Sequence, residues 1–195
     1  MDSAFFTISL KKNRNHRCTF GQLKFEVMKN TLSNILLVTV TLVYLSCTTN
    51  KLSNPENIGL HVMEILKMMD ATTQDSYAAK FMSVSEIKEV SEKKAVISSE
   101  DTRQEMRDIK EGPWMRRIYK DFNEIKAFAI TNGIDWPTIE YSGWSFETLD
   151  MDGVHACKGD LYFISNGRTY MLEIYSVFNG EEYRLVEVED IRPES

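Results

Sequence analysis

Cysteine is scarce in this chain: three residues, Cys18, Cys47 and Cys157, in 195. So few exclude the disulfide framework that holds many small secreted domains together. Histidine is equally sparse: beyond Cys47 there are only His61 and His155, and a zinc site needs three or four protein ligands. Proline occurs four times and glycine nine times, so collagen-like and Pro/Gly-rich linker compositions are excluded. No internal repeat or low-complexity tract is present. Nor is there a glycine-rich phosphate cradle or a nucleophile motif. An apolar stretch long enough to cross a bilayer as a helix, about 20 residues, is missing too. The longest aliphatic block, Ile35–Leu45, has 11.

Positive charge is the last deficit. The whole chain carries 23 basic against 29 acidic side chains, and residues 1–46 hold six of the basic and two of the acidic ones. Residues 47–195 therefore carry 17 against 27, a net charge of −10. Such a surface repels phosphate backbones and anionic headgroups, so no nucleic acid partner is expected.

What is there begins with the aliphatic block itself. Too short to span, it matches the roughly 7–15-residue apolar core of a secretory signal peptide, with Met28-Lys29-Asn30 as the short basic start. Residues 28–46 then form the signal, and residues 1–27, which show no sustained period of 2 or 3.6, are an upstream extension outside the fold. An ordinary cleaved signal and a buried element with an incidental cysteine are the alternative readings. Tyr44-Leu45-Ser46-Cys47 resembles a bacterial lipobox, in the relaxed form found in Bacteroidota lipoproteins; Tyr44 stands where leucine is usual. The resemblance implies that Cys47 is the lipid attachment site and the mature N-terminus. Two or three acyl chains would make a stable anchor, whereas one holds only marginally. Thr48 in place of Asp after the cysteine implies the outer membrane, and the lack of an acidic cluster in Thr49–Ser53 implies the periplasmic face.

Residues 47–55 read as a lipidated tether and 56–195 as one α+β domain, a usual size for a single core. Asn54-Pro55-Glu56 predicts a helix start, with Leu60, Met63, Leu66 and Lys67 on neighbouring turns and Ile58, Val62, Ile65 and Met69 widening the apolar stripe. Tyr77, Phe81 and Met82 suggest a short helical turn. Ser83-Val84-Ser85-Glu86 has capping-box spacing and predicts a helix to about Lys93. Another cap at Ser98–Asp101 predicts a helix up to a break at Gly112-Pro113. Trp114, Met115, Ile118, Phe122, Ile125 and Ala129 then recur at helical spacing until Asn132-Gly133, with Arg116, Arg117, Lys120 and Asp121 assigned to the remaining surface.

Past Trp136-Pro137 the period changes to 2. Strands are predicted at Ile139–Leu149, Val154–Ile164, Thr169–Phe178 and Tyr183–Ile191, joined at Asp152-Gly153, Asn166-Gly167 and Asn179-Gly180. These dipeptides are strong hairpin signals because both turn positions need φ > 0. N-terminal helices packed on a C-terminal four-stranded antiparallel meander are expected, a curved sheet wrapping a long helix. This order over residues 56–192 resembles the cystatin-like and nuclear-transport-factor-2-like folds.

Sites are fewer. His155 and Cys157 share one strand face and form a weak metal or thiol pair; the alternative is an ordinary half-buried strand. Asp150-Met151-Asp152-Gly153 lacks the later oxygen ligands of a calcium loop and reads as a turn. Glu187-Val188-Glu189-Asp190 reads as a solvated strand edge. The aromatic cluster is denser: Trp136, Tyr141, Trp144, Tyr162 and Tyr170 are candidates to line a pocket between sheet and helix, or else belong to the core with Phe146, Phe163 and Tyr175. No catalytic residue and no cofactor are expected. The leading expectation is a lipid-anchored envelope protein that binds another envelope protein or a small apolar ligand. The alternatives are a small periplasmic hydrolase or isomerase with a pocket between sheet and helix, and a structural subunit of an envelope assembly.

Overall fold

Five helices precede four strands in the computed structural model, which describes residues 52–151 and 153–194. The upstream extension, the signal segment, Cys47 and the first residues of the tether lie outside the described residues. The helices are α1 (Ile58–Lys67), α2 (Gln74–Ala78), α3 (Val84–Ser91), α4 (Glu100–Arg107) and α5 (Glu111–Asn132). The strands are β1 (Glu140–Met151), β2 (Val154–Ser165), β3 (Arg168–Phe178) and β4 (Tyr183–Pro193). They form one open antiparallel sheet in the order β1-β2-β3-β4. The α+β architecture is the one that the change of period predicts.

Local chemistry accounts for most of the boundaries. Ser83 and Glu86 form the expected capping box, Glu86 N–H donating to Ser83 Oγ at 3.2 Å and Ser83 N–H to Glu86 Oε2 at 2.7 Å. Thr73 and Ser99 cap α2 and α4 through their side chains. Asn54, in contrast, makes no side-chain cap; Pro55 starts a 3₁₀ turn, Pro55–Asn57, which leads into α1. Gly112-Pro113 does not break a helix. It lies in the first turn of α5, where the missing proline N–H has no intrahelical partner to lose. The preceding helix has already ended at Arg107.

The turn between β2 and β3 is the predicted two-residue hairpin, with Asn166 at φ 50° and Gly167 at φ 73°. Asn179-Gly180 works differently. Asn179 Oδ1 accepts from the N–H groups of Glu181 and Glu182 at 2.9 and 3.0 Å, and its own N–H donates to Glu182 O, giving a longer loop.

The main core lies between one sheet face and the helices. Ile58, Val62 and Leu66 of α1, Ile118, Phe122 and Ile125 of α5, and Leu161, Phe163, Leu172, Ile174 and Leu185 of the sheet meet there. A smaller cluster joins Met82, Ile87, Val90 and Ile97 to Val154. Strand alternation puts Val154 and Val177 on the opposite sheet face, so this cluster covers one end of it; the rest, from Lys158 to Ile164 along β2, joins neither buried cluster and is the helix-free face.

Candidate functional site

Strand alternation divides the aromatic cluster. In β2, Cys157, Gly159, Leu161 and Phe163 are buried while Lys158, Asp160, Tyr162 and Ile164 between them are half-buried. Tyr162 therefore sits on the helix-free face, paired across the sheet with Met171 and Gly143. Trp136 and Tyr170, each 2 % exposed, belong to the solid core. There Trp136, Phe163, Tyr170 and Phe128 follow one another at ring separations of 6.1, 5.6 and 6.0 Å. Tyr141 is 42 % exposed on the edge strand β1, opposite Phe163. The five candidates do not line one cavity.

Trp144 is held more tightly than its half-buried position suggests. Its indole N–H donates to Pro55 O at 3.0 Å, and its ring stacks on Phe146 at 5.7 Å. A Cβ on Gly59 would lie 2.7 Å from Trp144 Cγ, and one on Gly159 would lie 2.5 Å from Trp144 Cη2. Only glycine at both positions leaves room for the indole between α1 and β2.

Two open surface grooves lie elsewhere. One, about 470 Å³, runs beside α1 and α2 past Lys67, Met68, Thr72 and Lys80. The other, about 300 Å³, lies between α2, α3 and α5, with Phe81, Met82 and Trp114 along it and Glu86 and Arg184 paired at its rim. Neither is lined by any of the five aromatics.

His155 and Cys157 are separated by burial. The Cys157 side is closed to solvent, and burial pushes its thiol up to about 12 against a weaker downward pull from Ser176. So protonated a thiol is neither a nucleophile nor a ready metal ligand. The His155 side chain is 61 % exposed, its Nδ1 3.8 Å from Asp150 Oδ2. Among the described residues no group of three or more His, Cys, Asp and Glu is placed to hold a metal ion.

One titratable group is not where its charge suggests. Asp121 is only 4 % exposed, against the surface position expected for it. Burial, reinforced by Glu187 and Glu189 and opposed by Arg117, pushes its carboxyl up to about 7. Nearby, the Tyr77 hydroxyl is buried without a hydrogen-bond partner, and burial together with the Asp121 charge drives its phenol well above the usual range. Arg117 closes this seam, with Nη1 3.3 Å from Glu187 Oε1 and Nη2 donating to Val186 O at 3.2 Å. The sequence signal was available: 121 is three residues past Ile118 and four before Ile125, on the buried stripe.

Acidic side chains line the helix-free face. Asp160, Glu173 and Glu189 stand in one cross-strand row over β2, β3 and β4. Burial first, then the neighbouring acids, raises the carboxyls of Asp160 and Glu189. Lys158 pairs with Glu173 at 3.1 Å and lies over the Tyr175 ring, whose hydroxyl donates to Glu173 at 2.6 Å. The expected solvated character of Glu187–Asp190 holds only at Asp190, an exposed residue at φ 55°; Glu187 and Glu189 are half-buried.

No protein-family model, curated protein or solved structure matches this chain. The likeness to the cystatin-like and nuclear-transport-factor-2-like folds accordingly rests on element order alone.

Proposed function

We propose that this protein is a lipid-anchored binding module of the cell envelope, held in the outer membrane through Cys47 and facing the periplasm. The address is supported by sequence: a basic start at Met28-Lys29, the aliphatic block Ile35–Leu45, and Tyr44-Leu45-Ser46-Cys47. The mode of action is supported by one observation above the others, the closed interior. Trp136, Phe163 and Tyr170 fill the space between sheet and helix that a substrate pocket would need. Action at the surface fits that packing better than catalysis within it.

A hydrolase or isomerase reading keeps one supporting feature, the proton-holding Asp121 beside the unpartnered Tyr77 hydroxyl. Neither of the two surface grooves is lined by Asp121 or Tyr77, so binding remains the reading preferred.

Metabolic labelling with radioactive palmitate tests the anchor. Label is expected on the wild type and not on Cys47→Ala, with globomycin causing the precursor to accumulate. Equal label on the variant, or none on the wild type, would remove the anchor. Cross-linking in intact cells tests the binding role, which predicts adducts with another envelope protein.

A further inference from the structure

The two outer strands of a four-stranded sheet each have one side with no strand beside it, and in this protein the two sides are treated differently. Along Tyr183–Val186, the first part of β4, other parts of the chain take up the backbone. Met82 N–H donates to Leu185 O and Tyr183 N–H to Leu52 O, both at 2.7 Å, and Arg117 reaches Val186 O. Along β1, among the described residues, no backbone group of Glu140–Met151 bonds to any element but β2. Alternate N–H and C=O groups of a 12-residue strand, about 40 Å long, therefore face outward.

The side chains beside that free edge have a pattern. Toward the helices lie Tyr141, Trp144, Phe146 and Thr148, opposite Phe163, Leu161, Gly159 and Cys157. Toward the helix-free face lie Glu140 and Glu147, opposite Ile164 and Lys158. Lys158 is already engaged by Glu173. The strand holds three acids (Glu140, Glu147, Asp150) and no basic residue. Acids and the register shift near Ser142 would blunt the edge against aggregation. Trp144 and Phe146 pack against the main core, whereas Tyr141 is exposed beside the edge.

Resting on the binding-module reading, we propose that the β1 edge is the docking site for an extended, basic segment of a partner protein, which adds to the sheet as a fifth strand. Backbone groups of the segment pair with β1. Its apolar residues lie beside Tyr141 and Phe146, and its lysines or arginines meet Glu140 and Glu147. Charge decides against a second copy of this chain: two β1 strands side by side would bring six carboxylates together with no cation of their own.

The test uses the full-length protein in a non-ionic detergent, with a nine-residue peptide of alternating lysine and valine as probe. Controls have the same residues grouped into one lysine block and one valine block, or glutamate in place of lysine. The alternating peptide should bind about tenfold or more tighter than either control, and Glu140→Lys/Glu147→Lys should abolish that preference. Amide exchange should slow across 140–151 and not across 183–193. Equal binding of the blocked peptide, or protection confined to other elements, would overturn the proposal. So would a dimer whose β1 amides are already protected without peptide. Failure with the peptide while cellular cross-links to an envelope protein persist would sink the edge site alone; loss of both would sink the binding-module reading with it.

Discussion

The free side of β4 and the free side of β1 belong to one sheet, yet among the described residues other parts of the chain bond only to the first, along Tyr183–Val186. Leu52, Met82 and Arg117 each reach the β4 backbone, Phe81 forms a parallel bridge with Leu185, and two register shifts bend the strand. Among the described residues one hydrogen bond reaches β1 from outside the sheet, the Trp144 indole on Pro55 O, and it comes from a side chain. An edge becomes structural when loops from elsewhere satisfy its backbone groups. Left unsatisfied except by water, it remains available for another chain.

Four measurements test this contrast. The largest effect is expected at β4: Leu185→Ala removes a side chain that is 1 % exposed and should cost about 3 kcal/mol in chemical denaturation, whereas the exposed Thr148→Ala on β1 should stay within about 0.5 kcal/mol. Comparable losses at the two sites would show that both edges are equally structural. Second, Gly159→Ala places a Cβ 2.5 Å from Ser145 O and from the Trp144 ring, and should cost about 2 kcal/mol. A neutral result would mean that both the indole and the β1 backbone at Ser145 are free to move aside.

Third, the seam beneath β4 carries a pH dependence. The Asp121 carboxyl titrates near 7 in the folded protein against an ordinary 3.8. The folded state thus binds the extra proton between those limits, and stability falls as pH rises from about 4 through 7, then levels off. Asp121→Asn should flatten that slope and raise stability at pH 8 by about 2 kcal/mol, read from melting curves across pH. An unchanged slope would relieve Asp121 of this role. The smallest effect belongs to Glu147→Lys, an exposed substitution expected to alter stability by no more than about 0.5 kcal/mol. A large loss would mean that Glu147 supports the fold rather than only facing solvent.

Much of the fold was legible in the chain. Ser83 and Glu86 announce a helix start three residues apart, Asn166-Gly167 announces a hairpin, and Ile118, Phe122 and Ile125 mark the face that α5 buries. These signals are local, and local chemistry fulfils them. Gly112-Pro113 misled because proline stops a helix in its interior but suits its first turn, and a sequence alone does not say which turn it occupies. Asp121 was misassigned by its charge, although its spacing placed it on the buried stripe. The pairing of Tyr162 with Tyr170 as pocket neighbours ignored alternation, since Tyr162 adjoins the core residue Phe163 and must face the other way. The unequal edges could not be read at all. They depend on which distant loop reaches β4, and residues 52 and 82 say nothing of that in their own neighbourhoods.

The seating of Trp144 gives the molecule a built-in optical gauge. Its indole lies against Gly59 and Gly159, half in solvent and bonded to Pro55, on β1, whose flank is open among the described residues. Trp136 is sealed in the interior and Trp114 sits far along the chain at the opposite edge, bonded to Met82 O. Anything that settles alongside β1 would dehydrate a single one of the three emitters, so its arrival should register as a change in the colour of intrinsic fluorescence, with no dye attached.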